Sequence, residues 1–305
     1  ADILVVESYH KEYAWDDSYR RALDEHLGQT NTLHYFQMDT KRLPVEQFAK
    51  QAEAAWQTYL AIKPELVILA DDNALRFLGP RLGHTKTPVV YLGINRNPRE
   101  YGVHRFSNIT GVLERPLLRR SIVSIKKLMP KAENVLVMFD AGTTSQAAVE
   151  GIFANRHLLD TSGIHTQLRV YKHWSRWQRS ILKAREEGFD AIIVGLYHTL
   201  VDDEGNHVDA NQVISWTSRN NRLPLFSFWD FAIGPEKTAG GLVLQGYEQG
   251  RLASSIAKDI LSGTPPEQIR PVTGKQGAFI YSRSQLARFN LTLPEDVAAL
   301  AHLVE

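Results

Sequence analysis

The 305-residue chain carries 35 Lys and Arg against 34 Asp and Glu, with 43% hydrophobic and 23% charged residues. That length accommodates two ordinary domains with full cores. A net charge of +1 excludes a general nucleic-acid binder or a polybasic membrane-surface protein. No apolar run approaches the roughly 18 residues that span a bilayer, and apolar segments recur too regularly for disorder. The lack of cysteine excludes disulfides, thiolate catalysis and Cys-ligated metals. The sequence starts at Ala1, directly before the strand-like Ile3-Leu4-Val5-Val6. Together with the absent cysteine, this gives the expectation of an exported, periplasmic chain whose signal peptide has been removed.

Strands and helices alternate along the first third. Asp2–Glu7 reads as a buried strand, and Trp15–Leu27 as an amphipathic helix with Tyr19, Ala22, Leu23 and His26 or Leu27 on one face. Leu33–Met38 is a strand, and Val45–Leu60 a helix entered at Pro44, a residue suited to a first helical turn. Leu66–Ala70, a short helix over Asn73–Leu82 and the strand Val89–Ile94 complete a βαβαβαβ order. Such an order implies a parallel sheet with helices on both faces.

The pattern then restarts. A strand over Asn108–Leu113 leads to a helix over Leu117–Leu128. Strands at Asn134–Phe139, Thr166–Tyr171, Ala191–Tyr197 and Leu225–Trp229 alternate with helices at Ser145–Leu159, Arg176–Glu187 and Asn211–Asn220. In the tail, Tyr247–Leu261 is a strong helix stopped by Ser262-Gly263 and Pro265-Pro266. Ala278–Tyr281 is a short strand and Glu295–Leu303 a last helix. The expected fold is therefore α/β, with two doubly wound parallel-sheet lobes joined by a hinge that the chain crosses several times. A ligand cleft is expected where the carboxyl ends of the sheets face each other.

No dinucleotide fingerprint, phosphate loop, nucleophile elbow or His-Glu-x-x-His motif is present. The eleven histidines are scattered, and Asp202-Asp203-Glu204-Gly205-Asn206 lacks calcium-loop spacing and reads as a solvated turn. The sequence thus gives no support for an enzyme, and implies no cofactor or metal. Informative residues of such a fold lie just past the strand ends. Those in the first unit are Ser8, Tyr9, Trp15, Asp72 and Asn95; those in the second are Asp140, Thr143, Thr144, Ser145, His198, Trp229 and Asp230. Each has a plainer reading. Asp72 or Asn73 suits an N-cap, Thr143–Ser145 a cap cluster or anion-holding helix start, and the aromatics the core. Trp174 and Trp177 read as surface or helix-packing residues. Glu7, Asp71, Asp72, Asp140 and Asp230 supply acids, while Arg96 is the only Lys or Arg placed on these loops and His198 a weak base. An excess of carboxylates beside aromatic rings favours an amino acid or related amine as ligand.

Gly246-Tyr247-Glu248-Gln249-Gly250-Arg251-Leu252-Ala253, Ile260–Pro266 and Ser284–Pro294 resemble the late helix, its exit and the C-terminal signature of periplasmic ABC-transporter substrate-binding proteins, in the group with tryptophan- and tyrosine-binding members. Ser8-Tyr9-His10, Trp15, Met38–Arg42 and Asp71–Phe77 are similar to extracytoplasmic sensor domains of that family, found in or beside membrane histidine kinases and cyclic-dinucleotide signalling enzymes. The resemblance implies a type I periplasmic-binding-protein fold, with lobe one at 1–113 plus 247–272 and lobe two at 114–246 plus 273–305. It implies hinge closure on a small molecule by a monomer, and presentation to an ABC permease or, alternatively, to a membrane sensor. An enzyme on the same scaffold or the effector domain of a transcription regulator are weaker alternatives, for want of catalytic groups or a preceding helix-turn-helix.

Overall fold

The computed structural model describes residues 1–274 and 277–305. The chain opens with β1 (Asp2–Glu7), α1 (Ala14–Leu27), β2 (Thr32–Gln37), α2 (Phe48–Ile62), β3 (Leu66–Ala70), α3 (Asp71–Gly83), β4 (Val89–Ile94) and β5 (Ile109–Leu113). Next come α4 (Leu118–Leu128), β6 (Asn134–Asp140), α5 (Thr143–Phe153), β7 (Leu158–Thr161), β8 (Ile164–Tyr171), α6 (Trp174–Lys183), β9 (Ala191–Val194), α7 (Ala210–Asn220), β10 (Leu225–Ser227) and β11 (Gly240–Val243). The tail adds α8 (Gly246–Leu261), β12 (Val272–Thr273), β13 (Ala278–Ser282), α9 (Arg283–Arg288), α10 (Glu295–Ala298) and β14 (His302–Val304).

These elements form two compact units, Ala1–Arg115 with Gln245–Lys275 and Pro116–Leu244 with Gln276–Glu305. The backbone therefore passes from one to the other three times. The first unit holds a six-stranded sheet in the order β12-β5-β4-β3-β1-β2, parallel throughout. Its central strands are apolar at every position because both faces are covered. Leu4, Val6, Val67 and Leu69 meet Ala52, Ala55, Leu75 and Leu78 of α2 and α3. On α1, Tyr19, Ala22, Leu23 and Leu27 are fully buried, as the helical spacing predicts. Helix α8 lies against α1 through two glycines: a Cβ on Gly250 would come within 2.5 Å of the Tyr19 carbonyl oxygen, and one on Gly246 within 2.8 Å of the Trp15 carbonyl oxygen.

The second unit holds the sheet β10-β9-β6-β8-β7, parallel except for the edge strand β7. Its core gathers Leu136, Met138, Ile192, Val194 and Leu225 around Trp177. Trp177 is fully buried and donates its indole N–H to Thr217 Oγ1 at 2.9 Å, so its helix-packing reading holds and its surface reading does not. A three-stranded sheet, β11-β13-β14, completes this unit.

Several expected elements differ, each for a local reason. The turn after Pro44 is a 3-10 helix over Val45–Gln47, and the α-helix proper begins at Phe48. The helix expected to run to Leu159 stops at Phe153, where Ala154 and Asn155 turn left-handed (φ 48° and 64°). Leu158–Thr161 is instead a strand of a hairpin closed by Ser162-Gly163. Both turn residues have positive φ (52° and 78°), the geometry of a two-residue hairpin turn. The helix expected over Glu295–Leu303 ends at Ala298, and His302–Val304 pairs with β13. Strand β11 escaped notice because it begins with Gly240-Gly241, both at positive φ (96° and 129°). A Cβ on Gly240 would collide with the Ile280 carbonyl oxygen of the neighbouring strand.

The α1–α8 contact gives a test. Gly250→Ala places a methyl group against backbone that cannot yield, and costs about 1–3 kcal/mol, the range for overpacking. Urea unfolding should show the midpoint lowered; an unchanged midpoint would mean that the two helices are not closely apposed.

Candidate functional site

In the first unit, neighbouring strands end in buried polar residues, Ser8 level with Asp71 and Asn95 level with Glu114. Asp71 follows β3, Asn95 follows β4, Glu114 follows β5 and Ser8 follows β1. All four are buried, at 2%, 3%, 2% and 0% exposure.

Asp71 makes a sharp turn from strand to helix, with φ at +69°. Aspartate is one of the few side chains that tolerates this region. Its carboxylate lies over Gly93 of β4, itself at φ +67°, where any Cβ would collide with Asp71 Oδ1. Trp15 donates its indole N–H to the same oxygen at 3.1 Å. Among the described residues, Oδ2 of Asp71 has no donor, and neither has Oδ1 of Asn95, although both atoms are buried. The Asn95 amide nitrogen donates to Glu114 Oε2 at 3.0 Å, which ties the row together. Burial raises the Asp71 carboxyl well above the usual range, and the nearby Glu114 and Asp72 raise it further.

The other expected residues of this unit have structural engagements. Ser8 donates to the Ala70 carbonyl at 2.6 Å and accepts the Ala74 N–H at 2.8 Å, tying β1 to the start of α3. Asp72 is not the N-cap; the helix starts one residue earlier, after Ala70. Its carboxylate accepts from the Asn95 and Arg96 backbone N–H groups (2.9 and 3.1 Å) and the Tyr101 hydroxyl (2.8 Å), anchoring the loop after β4. Burial raises its pKa against these three donors. Tyr9 is 2% exposed and meets Tyr13 edge-on.

Arg96 is not alone as a cation on the strand-end loops. Lys41, in the loop after β2, is 9% exposed, with its ammonium 4.5 Å from the Tyr9 ring centre and 5.0 Å from that of Tyr13. Lys41 belongs to Met38–Arg42, a segment marked in the sequence by family resemblance and not by the strand-end pattern. Glu114 and Asp16 were also missed, the first because β5 reads as an exit strand, the second because it sits inside a helix. Glu7 is paired within the unit, accepting from Tyr19 Oη at 2.6 Å and Arg20 at 3.0 Å. Burial still pushes its pKa up to about 7.

In the second unit, Asp140 at the end of β6 organises the surrounding loops. Oδ1 accepts from the Gly142 N–H (3.0 Å) and the Ser145 hydroxyl (2.5 Å); Oδ2 accepts from the His198 and Thr199 N–H groups (2.7 and 3.2 Å). Ser145 is thereby committed to Asp140. Thr143 and Thr144 open α5 after Gly142 and are half-buried. His198 stacks on Tyr197 at 4.2 Å and meets Phe231 edge-on; Trp229 lies parallel to Phe231 at 6.3 Å. Asp230 is half-buried and begins a single 3-10 turn, Asp230–Ala232. Asp202–Asn206 is a turn in which Asp202 Oδ1 accepts from the Glu204 and Asn206 N–H groups. Among the described residues no group of three or more His, Asp or Glu side chains could hold a metal ion. None of their helices is long and apolar enough to cross a membrane.

Removing the Asp140 carboxylate strands four donors. Asp140→Ala should cost about 3 kcal/mol or more, at 1–3 kcal/mol for each unpaired buried group. Chemical denaturation checks this; a loss under about 1 kcal/mol would mean that the loops hold without it.

The family model for ABC transporter substrate-binding proteins matches residues 102–305. No curated protein matches the chain. Among solved structures, the chain is similar to an ABC domain in complex with L-Trp from Streptococcus pneumonia (16% identity, TM-score 0.72, covering 100% of this chain and 99% of the other). It is also similar to a substrate-binding protein with adhesive properties from Clostridium difficile, solved ligand-free and open (12%, 0.68, 100% and 99%). A third is a 5-methylthioribose transporter solute-binding protein from Thermotoga lettingae, in complex with that sugar (13%, 0.57, 98% and 90%). At these identities the likeness is one of fold, that of the type I periplasmic binding proteins. With two-thirds of its length matched by the family model, the chain belongs to the ABC transporter substrate-binding protein family.

Proposed function

We propose that the protein is an extracytoplasmic binding protein that captures a small solute with a cationic nitrogen, an amino acid or a related amine, and presents it to an ABC permease. The observation that carries the ligand class is the donor deficit at the strand ends of the first unit. Asp71 Oδ2 and Asn95 Oδ1 are buried acceptors without donors, in a row that includes a second carboxylate, Glu114. Unsatisfied buried acceptors are costly. An ammonium group brings three donors and a charge that favours ionised Asp71. Trp15, already bonded to Asp71, and the Tyr9–Tyr13 pair add aromatic surface nearby. An amino acid is favoured over a simple amine because the Streptococcus relative carries L-Trp. Hinge closure on the ligand and export from the cytoplasm are what membership of the family implies.

A thermal-shift panel of amino acids, diamines, neutral sugars and dicarboxylates tests the ligand class. A ligand at a hundredfold excess over its dissociation constant stabilises by about 2.7 kcal/mol, so a true solute is visible. Stabilisation by an amino acid or amine, lost in Asp71→Asn, is the expected result. Stabilisation by a sugar or dicarboxylate that survives Asp71→Asn would overturn the ligand class.

A further inference from the structure

Asp16, in the first turn of α1, is wholly buried, and among the described residues neither of its carboxyl oxygens has a donor in hydrogen-bonding geometry. The Tyr19 hydroxyl, one turn on, lies near enough to favour an ionised Asp16, but its single proton goes to Glu7 Oε2 at 2.6 Å. The groups facing Asp16 are mainly acidic. Glu7 faces it from β1 and Asp71 from the β3–α3 junction, and among the described residues Lys41, after β2, is the cation whose field reaches it, while Arg20 pairs with Glu7. From α8, the residues packed on α1 at Trp15 and Tyr19 are Gly246 and Gly250, neither of them ionisable.

An ionised carboxylate without a single donor, sealed from water beside two other carboxyls, is too costly for the fold to keep; a carboxyl in that position neutralises instead. We infer that Asp16 is a proton-binding site of the first unit, a neutral carboxylic acid at physiological pH whose deprotonation in alkali loosens the strand ends that carry Asp71. The proton at Asp16 relieves its neighbour of one negative charge, leaving Asp71 as the group able to ionise towards an arriving cation. That consequence rests on the reading of the solute site given above, whereas the proton itself does not. Burial first, then the fields of Asp71 and Glu7, move the Asp16 carboxyl far upward. The folded chain therefore binds more protons than the unfolded chain above the ordinary carboxylate range of about 4, so its stability falls as pH rises.

The experiment compares wild type with Asp16→Asn, which keeps the shape of the neutral acid and cannot ionise. Thermal unfolding from pH 5 to pH 8.5 should show the wild-type midpoint falling. The variant should be at least as stable at pH 8.5, with a shallower slope. Infrared spectroscopy of the wild-type protein at pH 7.5 should show a protonated-carboxyl stretch that weakens in the variant, and Asp71→Asn, which leaves Asp16 in place, should keep part of that band if Asp16→Asn folds poorly. A variant that is less stable at pH 8.5 with the slope unchanged, or wild type without a protonated-carboxyl band, overturns the inference. Neither measurement uses a solute, so failure of the amine reading leaves the result intact, and failure here leaves that reading to its own panel.

Discussion

Parallel sheets bring their carboxyl ends to one edge, and in the first unit that edge is lined with buried acids. Asp71 is the constraint on which the rest depends. Its left-handed backbone turns β3 directly into α3, and its side chain needs a glycine at position 93 on the neighbouring strand. Trp15, which opens α1, bonds to it. The same glycine is fixed from the other side, where its N–H donates to Gln249 of α8 at 2.9 Å. Four elements distant in sequence thus converge on one carboxyl group. The α1–α8 packing through Gly246 and Gly250 holds Trp15 and Gln249 in place together.

Buried carboxylates of this protein solve burial in two opposite ways. Asp140 receives four donors, three of them backbone N–H groups, and so serves as a fastener for the loops after β6 and β9. Asp72 does the same for the loop after β4 with three. Asp16 and Asp71 are left short of donors, which a core does not tolerate without a proton or a partner. The contrast separates acids that fasten the fold from acids short of donors, and it is the second kind on which the proposed solute site at Asp71 and the inferred proton at Asp16 rest.

Much of this was legible in order and little of it in partnership. Apolar runs located β3 and β4 to the residue, because strands buried on both faces carry no polar interruption. Helix spacing placed Tyr19, Ala22 and Leu23 inward. The strand-end rule led to Ser8, Asp72, Asn95 and Asp140. It did not tell that Ser8 and Asp72 are tied into the fold while Asp71 is left with a bare oxygen, since that depends on which backbone N–H groups approach from another strand. Asp16 lies inside a helix rather than just past a strand end, and only the packing of α1 against the sheet turns it inward.

What the sequence determined by itself was periodicity: the alternation of strand and helix, the restart after residue 113, and hence an α/β architecture in two units. Those follow from local patterns of burial, which a linear chain displays directly. The tertiary structure decided where short, glycine-marked or left-handed segments end one element and begin another, as at Ala154-Asn155 and Gly240-Gly241. It also decided which charges find partners. Lys41 beside Tyr9 and Tyr13, and Asp16 beside Asp71 and Glu7, join residues from separate elements of the first unit. Electrostatic energy depends on distance and on exclusion of water, and neither quantity exists until the chain has folded.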